Sequence, residues 1–250
     1  MKKMIILLIW LVGISSVYAQ VENDNVSAGT VIKKKVNVHG MILLTHNAFA
    51  PIPAFSFDDP ALMAFLSVGS KRFKYEPDFS IGLNGRPWMW NNWFRYTCED
   101  RQKFKLAVAV NPSLFFISTK TEGAEDLLEA HRNLTGEVMA TFQPAAKQKY
   151  MLTYRYNEAF DFGTINGHFI DLAAEFQKVL EYKNLTVTLR PQLFYFNNQG
   201  SVDGLFVGNT VQLGHSKFPF LLAYQSVQSI WTNFLPEAAY RHSISFIFLF

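Results

Sequence analysis

The last twelve residues, Ala239 to Phe250, alternate to the very end of the chain. Phe250, Phe248, Phe246, Ile244 and Tyr240 fall on one face of a strand, and Ser245, Ser243 and Arg241 on the other. A strand that stays apolar up to a terminal Phe is an unusual finish for a soluble domain, because termini ordinarily fray into water. One face of this strand demands an apolar phase and the other a polar one, so the elements it pairs with must show the same split.

The opposite end of the chain sets the compartment. Met1-Lys-Lys-Met4 supplies a positive start, Ile5 to Gly13 a short apolar run, and Val17-Tyr-Ala19 a small-residue cleavage site before Gln20. This predicts a secretory signal peptide over residues 1–19, removed on export. Residues 20–35, polar and ending Ile32-Lys-Lys-Lys35, read as an N-terminal tail, and residues 36–250 as the folded part. Hydrophobic residues make up 49% of the chain and aromatics 16%, yet no later stretch offers the 18 uninterrupted apolar residues of a spanning helix. Apolar content this high and this dispersed points to a closed barrel in hydrocarbon or to a β-sandwich in water. Cys98 is the single cysteine, which excludes an intrachain disulfide framework. The net charge of +3 includes the leading lysines and carries no nucleic-acid meaning.

Twelve candidate strands can be marked at roughly 36–47, 60–70, 76–84, 90–99, 103–117, 134–146, 148–158, 165–179, 184–197, 203–213, 217–227 and 238–250. The links after even-numbered strands are tight polar turns such as Glu99-Asp-Arg-Gln102 and Gly214-His-Ser-Lys217, with 70–76 the longer exception. The links after odd-numbered strands include the long segments 48–59, 118–133, 157–164 and 228–237. Pro112 and Pro191 fall inside proposed strands, where each removes a ladder donor, so they predict bulges or misplaced boundaries.

The terminal strand resembles the closing strand of Gram-negative outer-membrane β-barrel proteins. That resemblance implies an insertion signal at Phe246, Phe248 and Phe250 read by the barrel assembly machinery, contact with outer-membrane lipid, and chain termini on the periplasmic side. The asymmetry of link lengths fits it, since outer-membrane barrels pair short periplasmic turns with longer extracellular loops. The expected fold is all-β: one antiparallel transmembrane barrel of twelve strands, or of ten if 60–70 and 76–84 are loop or plug.

Alternation names the interior of such a barrel. Tyr150, Leu152, Tyr154 and Tyr156 oppose Met151, Thr153, Arg155 and Asn157; Phe104, Leu106, Val108 and Val110 oppose Lys105, Ala107, Ala109 and Asn111. A membrane barrel turns its apolar face outward, which assigns Arg95, Lys105, Glu137, Arg155, Asp171, Glu175, Arg190 and Arg241 to the lumen as selectivity candidates. Both signs are present, so these charges should pair with one another or line a hydrated pore. Trp88, Trp90 and Trp93 form a dense aromatic tract, readable as a girdle at the membrane surface or as a stacking platform for a ligand. The loop 118–133 contains helix-forming residues and could fold into the pore or away from it.

Some barrels of this size are enzymes. The outer-membrane phospholipase family uses Ser, His and Asn, but Ile165-Asn-Gly-His-Phe169 supplies Asn166 and His168 with no accompanying serine. The His-x-Ser pair of lipid A deacylases fails at His242, where Ile244 stands two residues on. No catalytic site, metal site or cofactor is assigned, and the remaining histidines show no ligand spacing. The sequence therefore predicts a narrow, porin-like channel for small polar solutes. A non-conducting structural or surface-interaction barrel is the second reading and a membrane-embedded lipid-modifying hydrolase the third.

Overall fold

Eight strands in this chain outlast the roughly 9–11 residues that a bilayer requires of a tilted strand, and the other four match it. The computed structural model describes residues 36–49, 56–119, 127–161, 164, 166–199, 202–233 and 240–250. The expected signal peptide and polar tail lie outside them. The strands are β1 (Asn37–Thr45), β2 (Ala61–Gly69), β3 (Phe73–Gly82), β4 (Pro87–Asp100), β5 (Phe104–Thr119), β6 (Leu127–Ala145), β7 (Gln148–Ala159), β8 (Gly167–Tyr182), β9 (Leu185–Asn198), β10 (Val202–His215), β11 (Phe220–Thr232) and β12 (Arg241–Leu249). Each pairs antiparallel with its sequence neighbours, and β12 closes on β1, giving a closed twelve-stranded barrel. The ten-strand alternative is overturned, because β2 and β3 are wall strands with neighbours on both sides.

The seam between β1 and β12 takes in Phe250. The Gly40 N–H donates to the Phe250 carbonyl at 2.8 Å, and the Phe250 N–H donates back to Gly40 at 3.0 Å. A Cβ at Gly40 would lie 2.6 Å from the Phe250 ring and 2.7 Å from the Phe65 carbonyl oxygen, so glycine is required for the terminal ring to lie over the seam. Phe220 stacks on Phe246 and packs tilted against Phe248, with centroids 5.2 Å apart in each case.

Alternation resolves inside from outside. In β12 the odd residues 243, 245 and 247 are buried while 242, 244 and 246 are exposed. The exposed set around the barrel includes Leu44, Phe79, Trp90, Phe94, Val108, Val110, Val138, Leu152, Ile170, Leu172, Val207, Leu222 and Phe246. An apolar band this extensive far exceeds what a water-soluble monomer tolerates. A sandwich would bury this face; the barrel displays it and encloses the polar one.

Several boundaries differ from those expected. β3 begins at Phe73, so the turn 70–72 is as tight as its counterparts. β6 begins at Leu127, which makes half of the expected 118–133 loop part of the wall. Pro112 and Pro191 mark no register shift. At Pro112 the ladder to β4 lapses between Asn91↔Ser113 and Phe94↔Val110 while the ladder to β6 continues in step. The missing donor faces β4, and the Asn111 side-chain oxygen accepts the Asn92 N–H at 2.7 Å instead. At Pro191 the ladder to β8 lapses likewise, and that to β10 is intact. A proline can therefore sit within a wall strand when one edge gives up a rung.

Candidate functional site

The polar inner faces of β3 to β9 converge on an ion-pair lattice. Glu137, only 4% exposed, sits on β6 directly across from Arg155 on β7. It accepts from Arg155 Nε at 2.7 Å and from Arg95 Nη1. Arg95 Nε also donates to Glu76 at 2.8 Å, and Ser67 Oγ donates to the other Glu76 oxygen at 3.1 Å. Two guanidiniums on one buried carboxylate supply the charge balance that burial demands. Trp93 flanks this lattice: the Arg95 and Arg155 guanidinium carbons lie 5.8 and 5.4 Å from its ring centroid, and Arg155 lies 5.5 Å from that of Phe169. Beside it, Asn91 donates to Asp78 at 2.7 Å and receives from Asn111 at 2.9 Å.

The remaining charges are spread along the same wall. Lys149 and Glu175 pair at 3.2 Å. Asp171 and Arg190 sit inward on the adjacent strands β8 and β9. Lys105 lies near Asp100 at 3.7 Å, at the end of the barrel where β1 begins and β12 ends. Arg241 lies at the far end, bound to Asp58 of the β1–β2 loop at 2.5 Å. Also at the far end, Arg132 clamps Asp161, whose carboxyl the guanidinium hydrogen bonds hold below the ordinary carboxylate range.

The inner faces of β10, β11, β12, β1 and β2 differ in kind. They present Thr210, Gln212, Ala223, Gln225, Ser243, Ser245, Thr45, Met63 and Ser67; among the described residues only His39 and the rim residue Arg241 are ionisable there. The interior thus has a charged half and an uncharged half.

The three tryptophans are separated. Trp88 occupies a bulge in β4, between the pairs Ser80↔Met89 and Ile81↔Pro87, and turns inward at 2% exposure. Trp90 points to the lipid side at 46% exposure, and Trp93 faces the ion-pair lattice. They form no common platform.

The described ends of the β1–β2 loop, residues 46–49 and 56–60, pack into the far end; residues 120–126 of the expected 118–133 loop lie outside the described residues. Ala48 packs with Ala61 and Trp88, and Phe57 lies 5.9 Å from the Trp88 ring. Phe49, the next residue, is buried against Phe194, Phe196, Phe206 and Val227 of β9 to β11. Glu76, Asp78 and Asn91 escaped the sequence reading, which placed Asn111 on the inner face. The alternation of Phe73, Tyr75, Phe79 and Ile81 with Lys74, Glu76, Asp78 and Ser80 carries that signal across Pro77.

A closed antiparallel barrel of twelve strands, apolar outside and ion-paired inside, has the architecture of the outer-membrane β-barrel proteins. Its shape is similar to that of the NanC porin, with a TM-score of 0.52 over 85% of this chain and 98% of that one at 9% identity. It is also similar to an outer-membrane channel from Pseudomonas putida F1, with a TM-score of 0.55 over 90% of this chain and 100% of that one at 11% identity. At identities this low, the likeness is one of fold alone. No protein-family model and no curated protein matches the sequence.

Proposed function

We propose that the protein is a narrow, porin-like channel of the outer membrane that admits small polar solutes, with its mixed-charge lumen setting selectivity. The observation that carries this reading is the inner surface itself. It presents amides and hydroxyls that suit a hydrated passage, and among the described residues the Arg–carboxylate pairs that would close a lumen are confined to the charged half, apart from Arg241 with Asp58 at the rim. Export through a signal peptide cleaved after Ala19, and recognition of the terminal strand at Phe246, Phe248 and Phe250 by the assembly machinery, belong to the same proposal. The named neighbours support it as a porin and a channel of like architecture.

Planar-bilayer recordings of the refolded full chain test it. Discrete conductance steps are expected, with Arg155→Glu moving ion selectivity toward cations and Glu175→Lys moving it toward anions. Inserted protein that stays silent would overturn the channel reading. The second reading, a closed structural barrel, is favoured by one specific feature: the β1–β2 loop places Ala48 against β2 and β4 and Phe49 against β9 to β11.

A further inference from the structure

The lattice around Glu137 is charge-balanced within itself, but the next level of the same wall is not. Asp171 is 8% exposed, and its Oδ1 has no hydrogen-bond partner among the described residues. Gln192 bonds to its carboxylate, and Arg155 and Arg190 lie in its electrostatic neighbourhood. Arg190 Nε is equally buried and equally without a partner. The acid across from Arg190 is Glu175, which Lys149 and Gln177 already engage at 3.2 and 2.7 Å. One acceptor and one donor are thus left over on neighbouring strands, and an unmade bond at a buried polar atom costs about 1–3 kcal/mol, more when the group is charged.

Their surroundings limit what would satisfy them. Asp171 lies directly across from Phe194, whose ring centroid is 5.6 Å from that of Phe169, two residues before Asp171 on the same face. Gln192, between Phe194 and Arg190, is flanked by Ala173 on β8 and Gly208 on β10. A Cβ at Gly208 would meet Ser226 O and Val227 Cγ2 at 3.5 Å and the Phe194 ring at 3.7 Å, so a methyl would just fit there and a larger side chain would press on Phe194. An anion alone would satisfy Arg190 and confront Asp171; a cation alone would do the reverse. A solute bearing both charges meets both, with an apolar remainder against the two phenylalanines.

We propose that Asp171 and Arg190, with Phe169 and Phe194 beside them, form a binding subsite for a small zwitterion, an amino acid with an apolar side chain. The solute ammonium donates to Asp171 Oδ1 and its carboxylate accepts from Arg190 Nε. Phe49 of the β1–β2 loop packs in the same aromatic cluster as Phe194, which sets the loop against the apolar end of the subsite. The proposal rests on the channel reading for its biological sense, though not for its measurement.

Binding of three probes sharing a phenyl ring, L-phenylalanine, phenylacetate and phenethylamine, is measured by saturation-transfer NMR on the full chain in detergent. Phenylalanine is expected to bind saturably and at least tenfold more tightly than either singly charged probe. Asp171→Asn should cost phenylalanine tenfold and narrow its lead over phenylacetate; Arg190→Gln should narrow its lead over phenethylamine. Gly208→Val, which presses on Phe194 and leaves every charge in place, should weaken phenylalanine by a similar factor and decides the matter if either charge variant fails to fold. Equal affinities for the three probes, or phenylalanine affinity unchanged in the folded variants, would overturn the subsite. Selective binding by a barrel that is silent in bilayers would refute the channel and leave the subsite standing, while conduction without discrimination would do the opposite.

Discussion

At the scale of single residues, Glu137 and Gly40 carry the most consequence. Glu137 is the one acceptor shared by Arg95 and Arg155. Removing it leaves Arg155 without its carboxylate and Arg95 with Glu76 alone, and losing one member of a buried charge set costs about 3–5 kcal/mol. Glu137→Ala should therefore lower the urea midpoint of unfolding markedly in an intrinsic tryptophan fluorescence titration; an unchanged midpoint would show that the two arginines find other partners. Gly40 is bound to its identity by the Phe250 ring. Gly40→Val should displace that ring and, like deletion of Phe250, reduce the folded, membrane-inserted fraction while leaving export intact, as read by the heat-dependent electrophoretic shift. Inward positions of this kind were legible from period-two alternation, which assigns Arg95, Glu137 and Arg155 to one face. Which carboxylate takes which guanidinium was not, because cross-strand pairing depends on register, and register between strands separated by turns leaves no local trace in the sequence.

At the scale of elements, strands were easier to read than their ends. Alternation is strong wherever lipid meets one face, so the wall segments stand out. Past the membrane both faces meet water, and the pattern weakens, as at Leu127 to Ala130, where four successive residues are exposed. That is why the start of β6 reads as loop. The β1–β2 loop shows the converse. Its apolar composition, with Phe49, Phe55 and Phe57 among three prolines, marks it as different from the polar loops, but which strands it meets depends on contacts of Ala48, Phe49 and Phe57 with residues far along the chain. Phe49→Ala should free the loop from β9 to β11. The expected result is a larger single-channel conductance at unchanged ion selectivity, since the charged lattice is untouched; conductance equal to wild type would mean that the loop does not limit the passage.

At the scale of the whole molecule, the division of the lumen into a charged half and an uncharged half is the dominant property. Acids and bases on β3 to β9 nearly all have partners there, so their fields largely cancel at a distance. A new charge on the uncharged half has no partner within reach. Ser245→Asp should shift the barrel toward cation selectivity more strongly than neutralising a paired residue such as Lys149, measured as reversal potential across a salt gradient. A smaller shift would mean that the uncharged half lies away from the conducting path.

The sequence by itself determined that the wall is built of strands, that one face of each is apolar, that the chain closes on a terminal Phe, and that charges of both signs lie on the opposite face. These follow from alternation, which every residue of a strand reports locally. Only the tertiary structure decided that β2 and β3 belong to the wall, that Glu137 bridges two arginines, that the three tryptophans face three different surroundings, and that Asp171 and Arg190 are left with unmade bonds. Each of these depends on which strands become neighbours and in what register, and that is settled only when the barrel closes and every edge must find a partner at once.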